Sequence, residues 1–227
     1  MQHTVDNFSI IAITPEVPVH DEAAIICSML DSGVVNRVHI RHPQSDADEV
    51  KAIIQAIPAD KQLRISVHEP HHTLTIGTRM GIHFSSHSQT DADKALKKSR
   101  LIDKIDRDDV GITRSCHSLD EILKADGYDY FFLSPFFDSI SKQGYHAAID
   151  LDEPMLAVAS ALKTIIPLGG IDDSKLSVLY ENDFCAAAML GYLWPMVDGQ
   201  ANVVDRDEQN RRLEKIRKIC NDMDFNS

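Results

Sequence analysis

Long apolar runs are missing from this sequence, and so is a basic surplus. No stretch approaches the roughly 18 to 20 apolar residues that a helix needs to cross a bilayer. The amino terminus, Met1-Gln2-His3-Thr4-Val5-Asp6, has neither the basic nor the apolar region of a secretory signal. The expectation is a soluble, cytoplasmic protein with no membrane partner. Acidic residues outnumber basic ones 35 to 23, for a formal net charge of −12, which argues against nucleic acid, a partner that demands a concentrated basic surface. Phosphorylated small molecules stay open, because local donors or a metal ion outweigh a distant negative field. Cysteine is sparse: Cys27, Cys116, Cys185 and Cys220 are scattered without CxxC pairing. That argues against a disulfide frame or a cysteine zinc site and fits reduced thiols used in packing. Linkers, low-complexity runs and short-period repeats are absent too.

What is present is alternation. Short apolar runs alternate with amphipathic or polar stretches along the whole chain, the pattern of βα units and a parallel sheet. Eight strands are predicted: Phe8 to Thr14, Arg37 to Arg41, Leu63 to Val67, Gly81 to Phe84, Val110 to Arg114, Tyr130 to Leu133, Thr164 to Leu168 and Cys185 to Leu190. Helices are predicted over Asp21 to Asp31, ended by Gly33, over Asp46 to Ile57, stopped by Pro58, and over Arg206 to Cys220. Ser118-Leu119-Asp120-Glu121 reads as a capping box. The third and fourth crossovers, His71 to Arg79 and Gln89 to Lys98, look short and polar for full helices. Eight strands without an evident switch in strand order favour a closed (β/α)8 TIM barrel over an open doubly wound sheet. At 227 residues, the chain suits a single domain, residues 1–227. Barrels of this size often pair through helix faces, so a homodimer is left open.

Parallel sheets keep their chemistry at the carboxyl ends of the strands. The seventh predicted strand ends in Ile165-Ile166-Pro167-Leu168-Gly169-Gly170 and the eighth in Ala188-Met189-Leu190-Gly191. Glycine lets backbone approach a ligand closely, and the ends of strands seven and eight are where such barrels often hold phosphate. Arg41 closes the second strand, with His39 on the same barrel-facing side; its guanidinium suits a bidentate phosphate contact or a surface carboxylate. His68-Glu69-Pro70-His71-His72 matches HExxH formally, yet it follows a strand and contains a proline, so the zincin reading fails. Glu69 suits a hard cation such as Mg2+, or an ordinary loop role. Ser115 stands at the barrel mouth, and Ser118 is more simply a helix cap. Adjacent Cys116 and His117 face opposite ways and do not make a nucleophilic pair. Ser139, Ser141 and Lys142 place two hydroxyls and a cation in one loop, suited to phosphate.

Taken in order, from Ile11-Ala12-Ile13-Thr14 through Gly81-Ile82-His83, Ser115-Cys116-His117-Ser118, the loop to Lys142, Leu168-Gly169-Gly170-Ile171 and Leu190-Gly191, these segments resemble thiamine phosphate synthase and the related thiazole tautomerases. The resemblance implies a TIM barrel that joins hydroxymethylpyrimidine diphosphate to thiazole phosphate and releases pyrophosphate, with Mg2+ on the leaving group. It implies that Arg41, Ser115 and Lys142 carry the catalysis and that His39, His68, Ser139 and Ser141 help bind substrate. Gly169, with the backbone at Leu190 and Gly191, takes the thiazole phosphate. Glu69 falls on the first metal-binding carboxylate of the family, while the second falls on Ser88, with His87 or Asp91 nearby. The family's second-strand lysine is Pro43 here. Tautomerase activity would need another acid or base, such as His39 or His117, because Ser134-Pro135-Phe136 follows the synthase form. A non-catalytic barrel that binds a phosphorylated ligand is a further alternative.

Overall fold

The computed structural model describes residues 8–88, 90–106, 111–137, 151 and 153–225. Eight parallel strands alternate with helical crossovers. The strands are β1 (Ser9–Ile13), β2 (Val35–Ile40), β3 (Ile65–His68), β4 (Gly81–Phe84), β5 (Ile112–Cys116), β6 (Tyr130–Leu133), β7 (Ile165–Pro167) and β8 (Ala186–Met189). They pair in the order β7-β6-β5-β4-β3-β2-β1-β8, and a parallel bridge between Leu168 and Ala188 closes β7 onto β8. The sheet is therefore the expected barrel and not an open, doubly wound layer. Two of the eight strands match their predicted bounds, and the rest shift by one or two residues at an end, where propensity is weakest.

The helices are α1 (Glu22–Asp31), α2 (Ala47–Ala56), α3 (Ala59–Gln62), α4 (Asp91–Asp106), α5 (Leu119–Lys124), α6 (Pro154–Leu162), α7 (Leu176–Glu181) and α8 (Arg206–Phe225). Local chemistry starts them where expected. Asp46 accepts from the Glu49 amide to cap α2, and Ser118 accepts from the Glu121 amide to cap α5. The two doubtful crossovers divide. His71–Thr75 is only a 3₁₀ turn, whereas the fourth contains a 16-residue α-helix, longer than its sequence suggested. Thr90 explains its start: its amide and hydroxyl both donate to Asp93 Oδ2, and its hydroxyl oxygen accepts from the Asp93 amide.

Strand side chains alternate between two environments. The larger apolar core lies between barrel and helices and includes Val38, Ile40, Val67, Phe131 and Leu133 with Ile26, Val50, Ile122 and Ile216. A smaller cluster fills part of the barrel interior: Ile11, Ile13, Phe132, Ile166, Ala186 and Ala188, all from β1, β6, β7 and β8. The strands β2 to β5 send polar groups inward instead, among them Arg37, His39, Ser66, His68, His83, Thr113 and Ser115. Gly81 is required at the bottom of this polar flank, because a methyl there would collide with Ser66 Oγ and approach Arg37 Nη1 to 3.3 Å. The interior is thus apolar on one side and hydrogen-bonded on the other.

Arg100 of α4 is wholly buried. Its guanidinium donates to the carbonyls of Thr75 at 3.2 Å and Thr78 at 3.4 Å, and also to that of Met80, so it anchors the short third crossover that has no helix of its own. Arg100→Met keeps the apolar volume and removes the guanidinium from the Thr78 and Met80 carbonyls, while that of Thr75 still accepts from the Thr78 amide and hydroxyl. Because each unsatisfied buried polar group costs about 1–3 kcal/mol, the substitution should destabilise the fold by about 3 kcal/mol, on the order of a 10 °C fall in melting temperature. A calorimetric loss below about 1 kcal/mol would show that Arg100 does not anchor the crossover.

Candidate active site

Gly169 and Gly170 follow β7 with φ of 100° and 66°, a backbone conformation that side chains resist. A methyl on Gly169 would also lie 3.2 Å from Pro135 Cα. The chain after β6 is pinned here: the Phe136 amide donates to the Leu168 carbonyl at 2.9 Å, and the Phe137 amide to that of Gly169 at 3.1 Å. Leu168 to Ile171 and Leu190 to Tyr192 line a cavity of about 740 Å³, completed by Asp172, Asp173, Ala188 and four residues of α8. The α8 charges are paired with one another or with Asp173. Arg211 and Arg212 meet Glu208 at 2.9 and 2.7 Å, and Lys215 meets Asp173 at 2.5 Å. The expected phosphate-end residues Gly169, Leu190 and Gly191 are therefore together on one cavity.

On the polar flank, three histidines from adjacent strands meet inside the barrel. His39 Nδ1 lies 2.8 Å from His68 Nε2, and His39 Nε2 lies 2.6 Å from the Tyr130 hydroxyl. His83 stacks on His68 with ring centroids 3.8 Å apart, and its two nitrogens lie 2.8 Å from the Thr113 and Ser115 hydroxyls. Phe132 closes the cluster, its ring centroid 4.8 Å from that of His39. Burial, then the neighbouring His83 and Arg37, hold His39 well below the usual imidazole range. Burial and the other two histidines do the same for His68. Burial, then Arg41, brings His83 to about 3. Burial raises the Tyr130 phenol, so it keeps its proton.

All three rings are thus neutral, and the Tyr130–His39–His68 chain admits two proton arrangements. In one, each group donates toward His68, which then carries its hydrogen on Nδ1. In the other, each donates toward Tyr130, and His68 Nδ1 is an acceptor. No hydrogen bond reaches His68 Nδ1 among the described residues. His68 is therefore the member of the chain able to meet a ligand, as donor or acceptor. His39, expected to touch substrate, has both nitrogens occupied and no exposure; it positions His68 instead. Ser115 is at the mouth as expected, but its hydroxyl is bonded to His83.

At the rim, Arg41 meets Glu16 at 2.7 Å, the surface-carboxylate arrangement. Glu69 Oε2 accepts from the Ser85 amide at 3.0 Å and from the Ser88 hydroxyl. Ser88, expected near a metal, is a hydrogen-bond partner of Glu69. His87 is exposed, with Nδ1 beside the Ser86 hydroxyl. The side chain of Asp91 lies outside the description, as do residues Ser139, Ser141 and Lys142. The two ends of the formal HExxH diverge: His68 turns into the barrel, whereas His72 Nε2 lies 3.3 Å from Asp93 Oδ1 on α4. Burial raises Cys116 to about 11, so it is an inert thiol and not a nucleophile. His117 Nδ1 lies 2.7 Å from the Ser134 carbonyl oxygen, which it engages as a donor.

The thiamine monophosphate synthase family model matches residues 10–191. The chain belongs to that family. It is 29% identical over 113 residues to the thiamine-phosphate synthase of Caldicellulosiruptor bescii, an overlap of 48% of this chain and 46% of that protein; the match thus spans about half the length of that curated relative. Among solved structures, the thiamine phosphate pyrophosphorylase of Bacteroides thetaiotaomicron superposes with a TM-score of 0.66 at 23% identity, over 94% of this chain and 98% of that one. That of Pyrococcus furiosus gives 0.66 at 15% identity over 96% and 98%. The barrels agree along nearly the whole length.

Sequence reasoning missed Asp93, and quoted His72, His83 and Tyr130 only as parts of a motif or a strand. Strand parity would have placed His39, His68, His83 and Tyr130 on the barrel-facing side, and Thr90 three residues before Asp93 carries a capping signal. The neutral imidazoles make stability depend on pH. The unfolded chain takes up these protons near pH 6.5, while the folded one resists, in the case of His83 down to about 3. Their contribution is complete above about pH 7 and is lost as pH falls below 6.5, at up to about 1.4 kcal/mol per pH unit for each ring. Denaturant midpoints should therefore fall steeply from pH 7 to 5, and His39→Gln should reduce the slope by about one proton. An equal slope in that variant would place the proton uptake elsewhere.

Proposed function

We propose that this chain is a transferase joining hydroxymethylpyrimidine diphosphate to thiazole phosphate, with release of pyrophosphate, in thiamine biosynthesis. The observation that carries the reading is the bare glycine backbone at the ends of β7 and β8 on one large cavity, in a barrel of the thiamine monophosphate synthase family. Backbone N–H groups at Gly169, Leu190 and Gly191 would hold the thiazole phosphate, as glycine-lined strand ends do in such barrels. The pyrimidine half would lie against His68 and Ser115, near Arg41. Ser139, Ser141 and Lys142 would donate to the diphosphate. The C–O bond to the diphosphate breaks with its electrons leaving on pyrophosphate, and the thiazole nitrogen lone pair forms the new C–N bond. Protein groups then act by stabilising charge and orienting rings more than by taking a proton. Tautomerisation is not favoured, because His39 is sealed and His117 is tied to a carbonyl.

The resemblance implies Mg2+. Glu69 and Ser88 do not fit as a ligand pair for it, because a neutral hydroxyl already bonded to Glu69 stands where a second carboxylate would balance the charge of the ion, and no step is derived through the cation. The reading takes residues 1–227 as one cytoplasmic domain acting on phosphorylated small molecules.

An assay with both substrates and a divalent cation, following thiamine phosphate and pyrophosphate together, tests the function. Equal formation of both is expected, and absence of product with folded protein would retire the synthase reading. Lys142→Ala should lower turnover by more than about tenfold, since a phosphate-neutralising cation contributes a few kcal/mol. Unchanged kinetics would remove Lys142 from the site. Gly169→Ala should raise the KM for thiazole phosphate more than that for the pyrimidine, because its methyl presses on Pro135 at the phosphate end. Equal effects on both would dissociate Gly169 from the phosphate.

A further inference from the structure

Three side chains, two from the formal HExxH and one from α4, converge at the edge of the mouth. Glu69 at the end of β3, His72 in the 3₁₀ turn and Asp93 in the first turn of α4 each offer a ligand atom, and these atoms all lie within 4.8 Å of one another. His72 and Asp93 are nine-tenths buried. We propose that Glu69, His72 and Asp93 form a binding site for a first-row divalent transition cation, of the Mn2+ or Zn2+ class, rather than for Mg2+.

The geometry is that of a site whose outer contacts are already made. Asp93 Oδ2 is held by the Thr90 amide and hydroxyl, which leaves Oδ1 turned to His72. Glu69 Oε2 is held by the Ser85 amide and the Ser88 hydroxyl, which leaves Oε1 for the ion. His72 Nδ1 faces the Pro70 carbonyl oxygen at 3.4 Å. Donation there puts the lone pair on Nε2, the arrangement that metal-bound histidines adopt. That lone pair then faces Asp93 Oδ1 at 3.3 Å, so either a proton or a cation must lie between them. The same distance is about the edge of a tetrahedron around an ion with bonds of about 2.0–2.1 Å. The Thr90 amide and hydroxyl both donate to Asp93 Oδ2, an arrangement that suits a carboxylate with its other oxygen turned to an ion. Two carboxylates balance one divalent ion.

The donor set selects the ion. Mg2+ favours oxygen-only octahedral surroundings, whereas an imidazole with two carboxylates suits Mn2+, Fe2+ or Zn2+. The inference goes beyond the synthase reading, because metal binding is measured without substrate and survives if that reading fails.

Full-length protein, stripped with a chelator, would be titrated with Mn2+ alone while electron paramagnetic resonance follows the free ion. One saturable site per chain is expected, at least about tenfold tighter than for Mg2+ measured by competition, with Zn2+ displacing Mn2+. His72→Gln and Asp93→Asn should each weaken Mn2+ binding by at least about tenfold. Asp93→Asn retains an oxygen for the Thr90 cap and so reports on the site even if the histidine variant unfolds, which circular dichroism would reveal. No saturable Mn2+ binding, Mg2+ binding as tight as Mn2+, or undiminished binding in folded Asp93→Asn would each overturn the site.

Discussion

A closed barrel of eight strands has a small interior, and every polar atom sent into it must find its partner there. That constraint governs the architecture from β2 to β5. An isolated buried imidazole would cost several kcal/mol in lost hydration, so the histidines are organised as donors and acceptors to one another and to Tyr130, Thr113 and Ser115. Their neutrality follows from the same burial, which removes the hydration that a charged ring would need. The apolar strands β1, β6, β7 and β8 form the opposite half, against which Phe132 and Ile166 pack.

This division carries through to the mouth. Above β7 and β8 the chain passes through glycine and offers bare backbone to a cavity, the surface that the proposed reading assigns to a phosphate. Above the polar half the strands end in side chains with directional lone pairs. The proposed function rests on this two-sided rim, with the anionic end of a substrate over the glycines and its ring over the side chains.

Much of this was legible in the sequence. Alternating apolar runs identified all eight strands, and glycine after Leu168 and Leu190 marked the cavity end before any geometry was known. Parity also put His39 on the barrel side. What parity lacks is depth: a residue facing inward may line the mouth or be sealed beneath it, and the register between strands decides which. Ile13 pairs with His39, and His39 with Ser66, so His39 ends up below His68 and beyond a ligand's reach. Arg41 was read as either a phosphate contact or an ion-pair partner because local sequence cannot choose, and Glu16 lies on a different loop. The fourth crossover was underestimated because its helix is rich in lysine and aspartate, and its start depends on the reciprocal bonds of Thr90 and Asp93 rather than on an apolar stripe.

Asp93 and Arg100 lie seven residues apart, two turns along the same face of α4, and both grip the crossover between β3 and β4. One holds His72, and the other holds the carbonyls of Thr75, Thr78 and Met80. Two contacts at a fixed spacing act like a pair of pegs in a pegboard. The turn cannot slide along the helix by one residue without losing both, and neither end can lift independently of the other. A crossover too short to build its own helix thus borrows the stiffness of the next one, and the two segments form a single cooperative unit of the barrel wall.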